Sequence, residues 1–419
     1  MANINWLRPG LRLKRWVLVI CLGLMTFTIG SLAFAAGLFG INHGIPVIGG
    51  LEINAYGLTR IFIPLGAALI FIGVYRLVRR IEKIFRHVNE PRGLAELAYL
   101  QSRLDHGPRI VCFGGGTGLS TLLSGLREHS RRITAIVSVA DDGGSSGRLR
   151  HDFDMLPPGD IRNCLVALAD AGPMMAELLQ YRFDEGELEG HSFGNLFITV
   201  MAQLAGGDFG RAVREANRVL SVRGQVLPAT LDKVSLVATH PDGTKTTGQR
   251  LIAQCGKEIA DLQLRPIPAE PPEDMLESVL AADLIVLGPG SLYTSVLPNL
   301  LDPQIVAAVN RSMARTIFAV NIFEQPGETP GFAVSDHTRA LHRHAPGLRL
   351  DGVLVNGGTL PKDKMRALAE TGFKPTRYDP DAVARLGVRA YVRDVVDSNN
   401  PLRHDAKKLA LALMDVMKK

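Results

Sequence analysis

The chain of 419 residues has only 4 cysteines and 2 tryptophans, and aromatic residues make up 6% of it. Cys21, Cys112, Cys164 and Cys255 are widely separated in apolar contexts, with no C-x-x-C pair. That spacing suits neither a disulfide framework nor a zinc site, so reduced, buried thiols are expected. The 11 histidines include no H-E-x-x-H pattern, and His342 and His344 are expected on a helix surface. No basic stripe interleaved with aromatics is present, so nucleic-acid binding is not expected. Internal repeats and low-complexity tracts are also missing.

Residues 16–40 lack charge altogether. They are long enough to cross a bilayer, which takes about 20 apolar residues. A second apolar run lies between Arg60 and Arg76. It spans only if Arg60 snorkels or the helix extends to Val78. Residues 41–57, between the runs, contain Glu52 but no Lys or Arg. Arg8, Arg12, Lys14 and Arg15 flank the first run, and Arg76, Arg79, Arg80, Lys83 and Arg86 follow the second. These flanks supply part of the net charge of +6. By the positive-inside rule both are cytoplasmic. Residues 1–78 are therefore expected to form a transmembrane hairpin with a tiny external loop, and 79–107 a linker. A cleaved signal peptide is the competing reading, with Arg12-Leu13-Lys14-Arg15 as n-region and Ala33-Phe34-Ala35 as cleavage motif. The apolar stretch is long for that. The body is cytoplasmic under either reading.

From Pro108 onward strands alternate with helices. Arg109–Phe113, Ile133–Val139, Asp283–Leu287, Thr316–Val320 and Gly352–Val355 are near-continuous apolar runs, as expected of strands covered on both faces. Val234–Gly248 reads as a hairpin turning at Asp242-Gly243. The expected fold class is α/β, a Rossmann-like doubly wound, mostly parallel sheet over 108–419 with a β-hairpin insertion.

The loops after these strands carry the chemistry. Gly114-Gly115-Gly116-Thr117-Gly118 follows the first strand and opens a helix. Glycines there let backbone N–H groups approach a phosphate, helped by the helix dipole. Leu119 replaces the last glycine of G-x-G-x-x-G, and no Gly-Lys-Ser/Thr follows. The turn thus names neither a nicotinamide site nor a P-loop, and no flavin is expected. A tight structural turn is the bland alternative.

Asp141 and Asp142 end the second strand, followed by Gly143, Gly144, Ser145, Ser146, Gly147 and Arg148. Paired carboxylates at a strand's carboxyl end can hold a metal or activate a hydroxyl, although Asp-Gly and Ser-Gly are also ordinary turn chemistry. Asp160 reads as either a site residue or an N-cap, with Arg162 and Asn163 beside it. His191 is a ligand contact or a satisfied core histidine, and Asn195 a contact or a cap. Gly288, Gly290, Ser291, Tyr293 and Thr294 make a second phosphate-type cradle. Asn321, with Gln325–Thr329, ends the next strand in the same way. Two adjacent carboxylates facing a diphosphate require either a cation or arginines, Arg148 and Arg162, to offset their charge.

In order, GGGTGLS, ADDGGSSGRLR, PPGDIRNCLVALAD, GHSFGNL, GPGSLYTSVLPNL and QPGET resemble the bacterial gluconeogenesis factor family over roughly residues 108–400. Its members are similar to 2-phospho-L-lactate transferase, an enzyme of deazaflavin cofactor synthesis. The resemblance implies a body that binds a nucleotide sugar, typically UDP-N-acetylglucosamine. It implies a role in cell shape and peptidoglycan supply during gluconeogenic growth, at the bacterial inner membrane given the hairpin. In the transferase relatives an acidic residue and an asparagine hold a divalent metal beside a nucleotide diphosphate. The matching positions are Asp141 or Asp142, and Asn195, with Mg²⁺ as the expected ion. Cell-envelope proteins and further copies of the chain are the expected partners. A regulatory UDP-sugar-binding protein and a Mg²⁺-dependent transferase both remain open. A deazaflavin acceptor calls for an aromatic-lined pocket, and no aromatics cluster near the Gly/Asp loops in sequence, which favours binding.

Overall fold

The computed structural model describes residues 14–39, 45–47, 51–53, 55–85, 102–170, 172–266, 269–359, 368 and 373–418. Arg8, Arg12, Arg86 and the linker stretch 86–101 lie outside the described residues, as do the side chains of Lys14, Glu52, Arg80 and Lys83. The chain divides into two compact units, Met1–Gln101 and Ser102–Lys419.

In the first unit, helices Lys14–Leu38 and Ala55–Phe85 are joined through β1 (Ile45–Val47) and β2 (Leu51–Ile53), which pair antiparallel. The windows Arg15–Leu38 and Gly57–Arg79 are long and apolar enough to cross a membrane. Leu18, Met25, Leu32 and Phe71 lie exposed on their outer faces. The second helix continues past Val78 to Phe85, into the stretch read from sequence as linker. Small residues let the two backbones approach. A Cβ on Gly66 would lie 2.6 Å from the Phe27 nitrogen.

The second unit is built on a parallel sheet of β3 (Ile110–Gly114), β4 (Ile133–Val137), β5 (Gln225–Pro228), β9 (Leu284–Leu287), β10 (Arg315–Ala319), β11 (Gly352–Asn356) and β12 (Arg389–Arg393). Their order is β12-β11-β10-β9-β3-β4-β5. From β3 the chain winds outward through β4 to β5. It later returns to β9 on the other side of β3 and winds outward again. This is the doubly wound pattern, with its switch point between β3 and β9. β3, β4 and β9 are wholly buried, because helices cover both faces and their side chains are apolar throughout.

β6 (Ser235–Thr239), β7 (Lys245–Thr247) and β8 (Asp261–Arg265) form a separate antiparallel sheet in the order β7-β6-β8. The hairpin expected at Asp242-Gly243 is β6–β7. The third strand, β8, carries no turn-bounded apolar run, since polar side chains alternate along it. β12 carries no clear strand signal for a similar reason: it is an edge strand with charged ends and a single buried residue, Tyr391. β5, at the other edge, is short and closes on Pro228, as edge positions allow.

His344 corrects an expectation. It lies on helix Val334–His344 but is buried, edge-on to the Tyr293 ring at 5.7 Å. His342, two residues earlier, is half-buried.

Candidate functional site

A cavity of about 280 Å³ opens at the switch point, outside the carboxyl ends of β3, β9 and β10. One wall is the Gly115–Gly118 turn with Thr121. A second comes from Pro289–Ser291 and Ser295, and the rest from Asn321–Gln325, Phe373 and Leu402–His404. Phe373 packs on the small cluster of Ile322, Phe323 and Val396. The cavity thus has a glycine and hydroxyl side and an aromatic, apolar side.

The glycine turn is shaped by close approach. Gly116 has φ +62° with open space where a Cβ would stand, so its backbone faces the cavity. A Cβ on Gly118 would lie 2.4 Å from the Pro289 oxygen, which puts the two loops in backbone contact. Asn321 holds the second loop, with its Oδ1 accepting Gly290 N–H at 3.3 Å and its Nδ2 donating to Gly290 O at 2.8 Å. Gly114 O is tied by Asn299 Nδ2 at 3.2 Å. The outer end of the second cradle is already filled. Glu328, buried, accepts the Tyr293 N–H at 3.0 Å and the Thr294 hydroxyl at 2.6 Å. Burial raises the Glu328 pKa above its ordinary value. With the Gly290 N–H also bonded, Ser291 is the member of this loop's expected cradle that still faces the cavity without a backbone commitment of that kind.

Asp160 does not cap its own helix, Gly159–Leu168, which has no side-chain cap. Its carboxylate turns to the glycine turn and accepts the Gly116 N–H. A Cβ on Gly115 would lie 2.5 Å from Asp160 Oδ2. Asp160 keeps some solvent exposure, but its carboxylate is packed into the turn. Loss of solvent, then the nearby Asp141 charge, push it up to about 6, partly offset by the Gly116 bond and Arg162. Asp141 is raised as well, chiefly by burial, against hydrogen bonds from Gly143 and Ser146 and the charge of Arg150.

The neighbouring carboxylates Asp141 and Asp142 part company. Asp142 Oδ1 accepts the Arg250 N–H at 2.9 Å and so caps the helix Gln249–Cys255. Arg148 also points elsewhere, donating to Glu189 O at 2.8 Å. The cations facing the acid pair are Arg150 and Arg162. Arg162 donates to Asn163 Oδ1 at 2.7 Å and to Ser192 Oγ. Asn163 itself opens onto a separate shallow groove beside Thr121 and Gln180.

Ser192, which sequence reading passed over, is the N-cap of helix Phe193–Leu204, accepting Asn195 N–H at 3.3 Å. Asn195 is therefore no cap. It is 2% exposed and donates through Nδ2 to Ser145 Oγ at 3.0 Å, while its Oδ1 has no partner. Ser145 also meets His191 Nδ1 at 3.0 Å. Among the described residues no three His, Cys, Asp or Glu side chains converge as metal ligands. Asp141 and Asp160 lie within range of each other's charge, and a pair of carboxylates is the kind of oxygen donor that hard divalent cations prefer.

The aromatic wall and His404 were also missed. Phe323, Phe373 and His404 stand in segments without motif and meet only through the fold. Burial lowers His404 to about 4, despite a hydrogen bond with the Val320 backbone. It faces the cavity as a neutral imidazole.

Comparison with known proteins agrees with this architecture. The family model of the 2-phospho-L-lactate transferase CofD matches residues 110–396. The putative gluconeogenesis factor of Nostoc sp. is 43% identical over 422 residues, covering 98% of this chain and 91% of that protein. The gluconeogenesis factor of Bacillus subtilis is 43% identical over 314 residues, covering 74% of this chain and 98% of that protein. A crystal structure of a Bacillus halodurans protein matches with a TM-score of 0.71 at 43% identity, covering 74% of this chain and 99% of that chain.

Proposed function

Since the chain belongs to the gluconeogenesis factor family, with a CofD-like body, we propose that it binds a UDP-sugar in the switch-point cavity from the cytoplasmic face of the inner membrane. UDP-N-acetylglucosamine is the ligand we favour. The observation that carries this reading is the cavity's two-sided lining. The glycine turn, once Asp160 gives up the Gly116 N–H, and Ser291 suit a diphosphate, and Phe323 with Phe373 suits a flat ring. Arg403 stands on the same wall to meet negative charge.

The acid pair sets a condition on that ligand. A diphosphate brought beside Asp141 and Asp160 is repelled unless a cation enters or a carboxylate is protonated. Asp141 and Asp160 are the residues that would hold Mg²⁺, which when bound supplies charge neutralisation between carboxylates and phosphates. Signalling of UDP-sugar supply to cell shape and peptidoglycan synthesis, through envelope proteins and a homo-oligomeric form, completes the proposal. Thermal-shift and calorimetric titration of the full chain with UDP-N-acetylglucosamine, UDP-glucose and UDP, each with and without Mg²⁺, tests it. Absence of binding to all three refutes it.

A second reading, Mg²⁺-dependent transfer from a nucleotide-activated donor, gains from one observation. The aromatic wall sits on the cavity, so the scarcity of aromatics no longer counts against a planar acceptor. Product release from a nucleotide donor, absent without acceptor, distinguishes this reading.

A further inference from the structure

The helix Phe193–Leu204 is turned inside out for a free surface. It carries no charged residue. Its polar residues Asn195 and Thr199, four apart, are buried, at 2% and 3% exposure. The neighbouring stripe at the same spacing is Leu196, Val200 and Leu204, and Val200 and Leu204 are 52% and 78% exposed. A surface helix of a free-standing body shows the reverse pattern. The preceding helix, Pro173–Gln180, adds to this apolar face with Met174, Met175 and Leu178 exposed. A Cβ on Gly194 would lie 2.4 Å from the Leu179 oxygen, so the two helices touch. An uncharged patch of this kind marks an interaction surface.

The charges at the two ends of the helix say what covers it. Residues 182–189, which lead into it, hold the carboxylates of Asp184, Glu185, Glu187 and Glu189, all exposed, against Arg182. Beyond its other end, helix Phe209–Val219 opens with Arg211 and Arg214 exposed, the latter 3.7 Å from Asp274, while Asp208 is engaged as the N-cap. A second copy related by a two-fold axis at Val200 runs its helix antiparallel, so Leu196 of each copy faces Leu204 of the other. The acidic loop of each copy then meets the arginines of the other. Parallel pairing would set acidic loop on acidic loop and is disfavoured. A bilayer is a poorer cover, because the acidic rim would approach an anionic surface.

We propose that this face, Val200 and Leu204 at its centre with Met174 and Leu178 beside them, is the two-fold interface of a homodimer. It gives the homo-oligomeric form proposed above its surface. Nucleotide-sugar titration and the dimer measurement are independent, so either reading can fail while the other stands.

The test uses the full chain in detergent micelles. Light scattering should show a dimer for the wild type. Because the apolar helices of the first unit can also associate, the deciding readout is site-specific disulfide formation. In a Cys21→Ser, Cys255→Ser background, Val200→Cys should cross-link two copies at least about tenfold faster than a control, Met313→Cys, placed at an exposed loop residue. Adding Leu204→Glu should remove that preference, with the far-UV circular dichroism unchanged because Leu204 makes little contact within its own chain. Arg211→Glu should slow the cross-link, and Glu185→Arg with Glu187→Arg in the same chain should restore it. A wild type that stays monomeric, or a Val200 cysteine that cross-links no faster than the Met313 one, overturns the interface. So does a Val200 cysteine that fails to cross-link and is reached instead by nitroxide-labelled lipid in nanodiscs, which assigns the face to a membrane.

Discussion

The Asp160 carboxylate accepts the backbone N–H of Gly116, so an acid on the helix Gly159–Leu168 occupies the amino end of the earlier helix Gly116–Leu126. That is where the fold offers its best anion site. The protein therefore sets a carboxylate of its own at that helix end, and removing it from solvent beside Asp141 shows in the raised pKa.

The cost has a pH signature. Asp160 stands near 6 in the folded chain against 3.8 ordinarily, so the folded state holds its proton more tightly than the unfolded state. The stabilising contribution is complete below about pH 4 and is lost as pH rises through about 6. A two-unit shift corresponds to about 3 kcal/mol, and the solvent still reaching Asp160 reduces this to about 1 kcal/mol. Asp160→Asn should thus raise the ligand-free thermal midpoint at pH 7.5 by about 2–4 °C and have little effect at pH 4. Asp141 and Glu328 shift in the same direction, so the readout is the difference between variant and wild type. Parallel stability-against-pH curves for the two proteins refute the assignment.

Asp141 and Asp142 should separate by experiment although they are neighbours in sequence. Asp142→Ala removes a helix cap at Arg250 and should cost about 1 kcal/mol of stability with ligand affinity nearly intact. Asp141→Asn should leave stability level or improved and weaken Mg²⁺-dependent binding. Denaturant unfolding and nucleotide-sugar titration of both variants decide the matter, and a reversed pattern sinks the placement of Asp141 in the site.

Which carboxylate does which task was not legible in the chain. The task of Asp142 depends on a helix, Gln249–Cys255, that arrives more than a hundred residues later. The strands themselves were legible, because continuous apolar runs such as Ile110–Phe113 and Leu284–Leu287 have no other economical use. The edge strand β12 was not, since one covered face and charged ends leave only Tyr391 to signal it. The glycine loops announced a crevice, but its aromatic wall did not, because Phe323, Phe373 and His404 are ordinary residues until tertiary packing gathers them.

Gly116→Val tests the glycine turn. Its φ of +62° strains a β-branched residue by about 1–2 kcal/mol, and the new side chain projects into open cavity space. The chain should remain folded, with a thermal midpoint lowered by about 2–4 °C per kcal/mol, and nucleotide-sugar affinity should fall at least about tenfold, or about 1.4 kcal/mol. Unchanged affinity in a folded variant removes the turn from the binding site.

The hairpin carries the final prediction. The Arg76 guanidinium lies over the Trp16 ring, 5.6 Å from its centre, which brings the tail of one apolar helix beside the head of the other. Arg15, Arg76 and Arg79 therefore share one end of the pair, and a membrane that the pair spans must have all three on one side. The positive-inside rule puts that side in the cytoplasm. A reporter fused after Arg86 should read as cytoplasmic and one placed at Asn54 as external. The close contact of Gly66 with Phe27 adds a second handle. Gly66→Leu should force the helices apart and weaken cross-linking between cysteines introduced at Ile20 and Gly73, which meet across the pair, while leaving each helix apolar enough to insert. An external reading for the fusion after Arg86 would overturn the topology, and cross-linking indifferent to Gly66→Leu would overturn the packing.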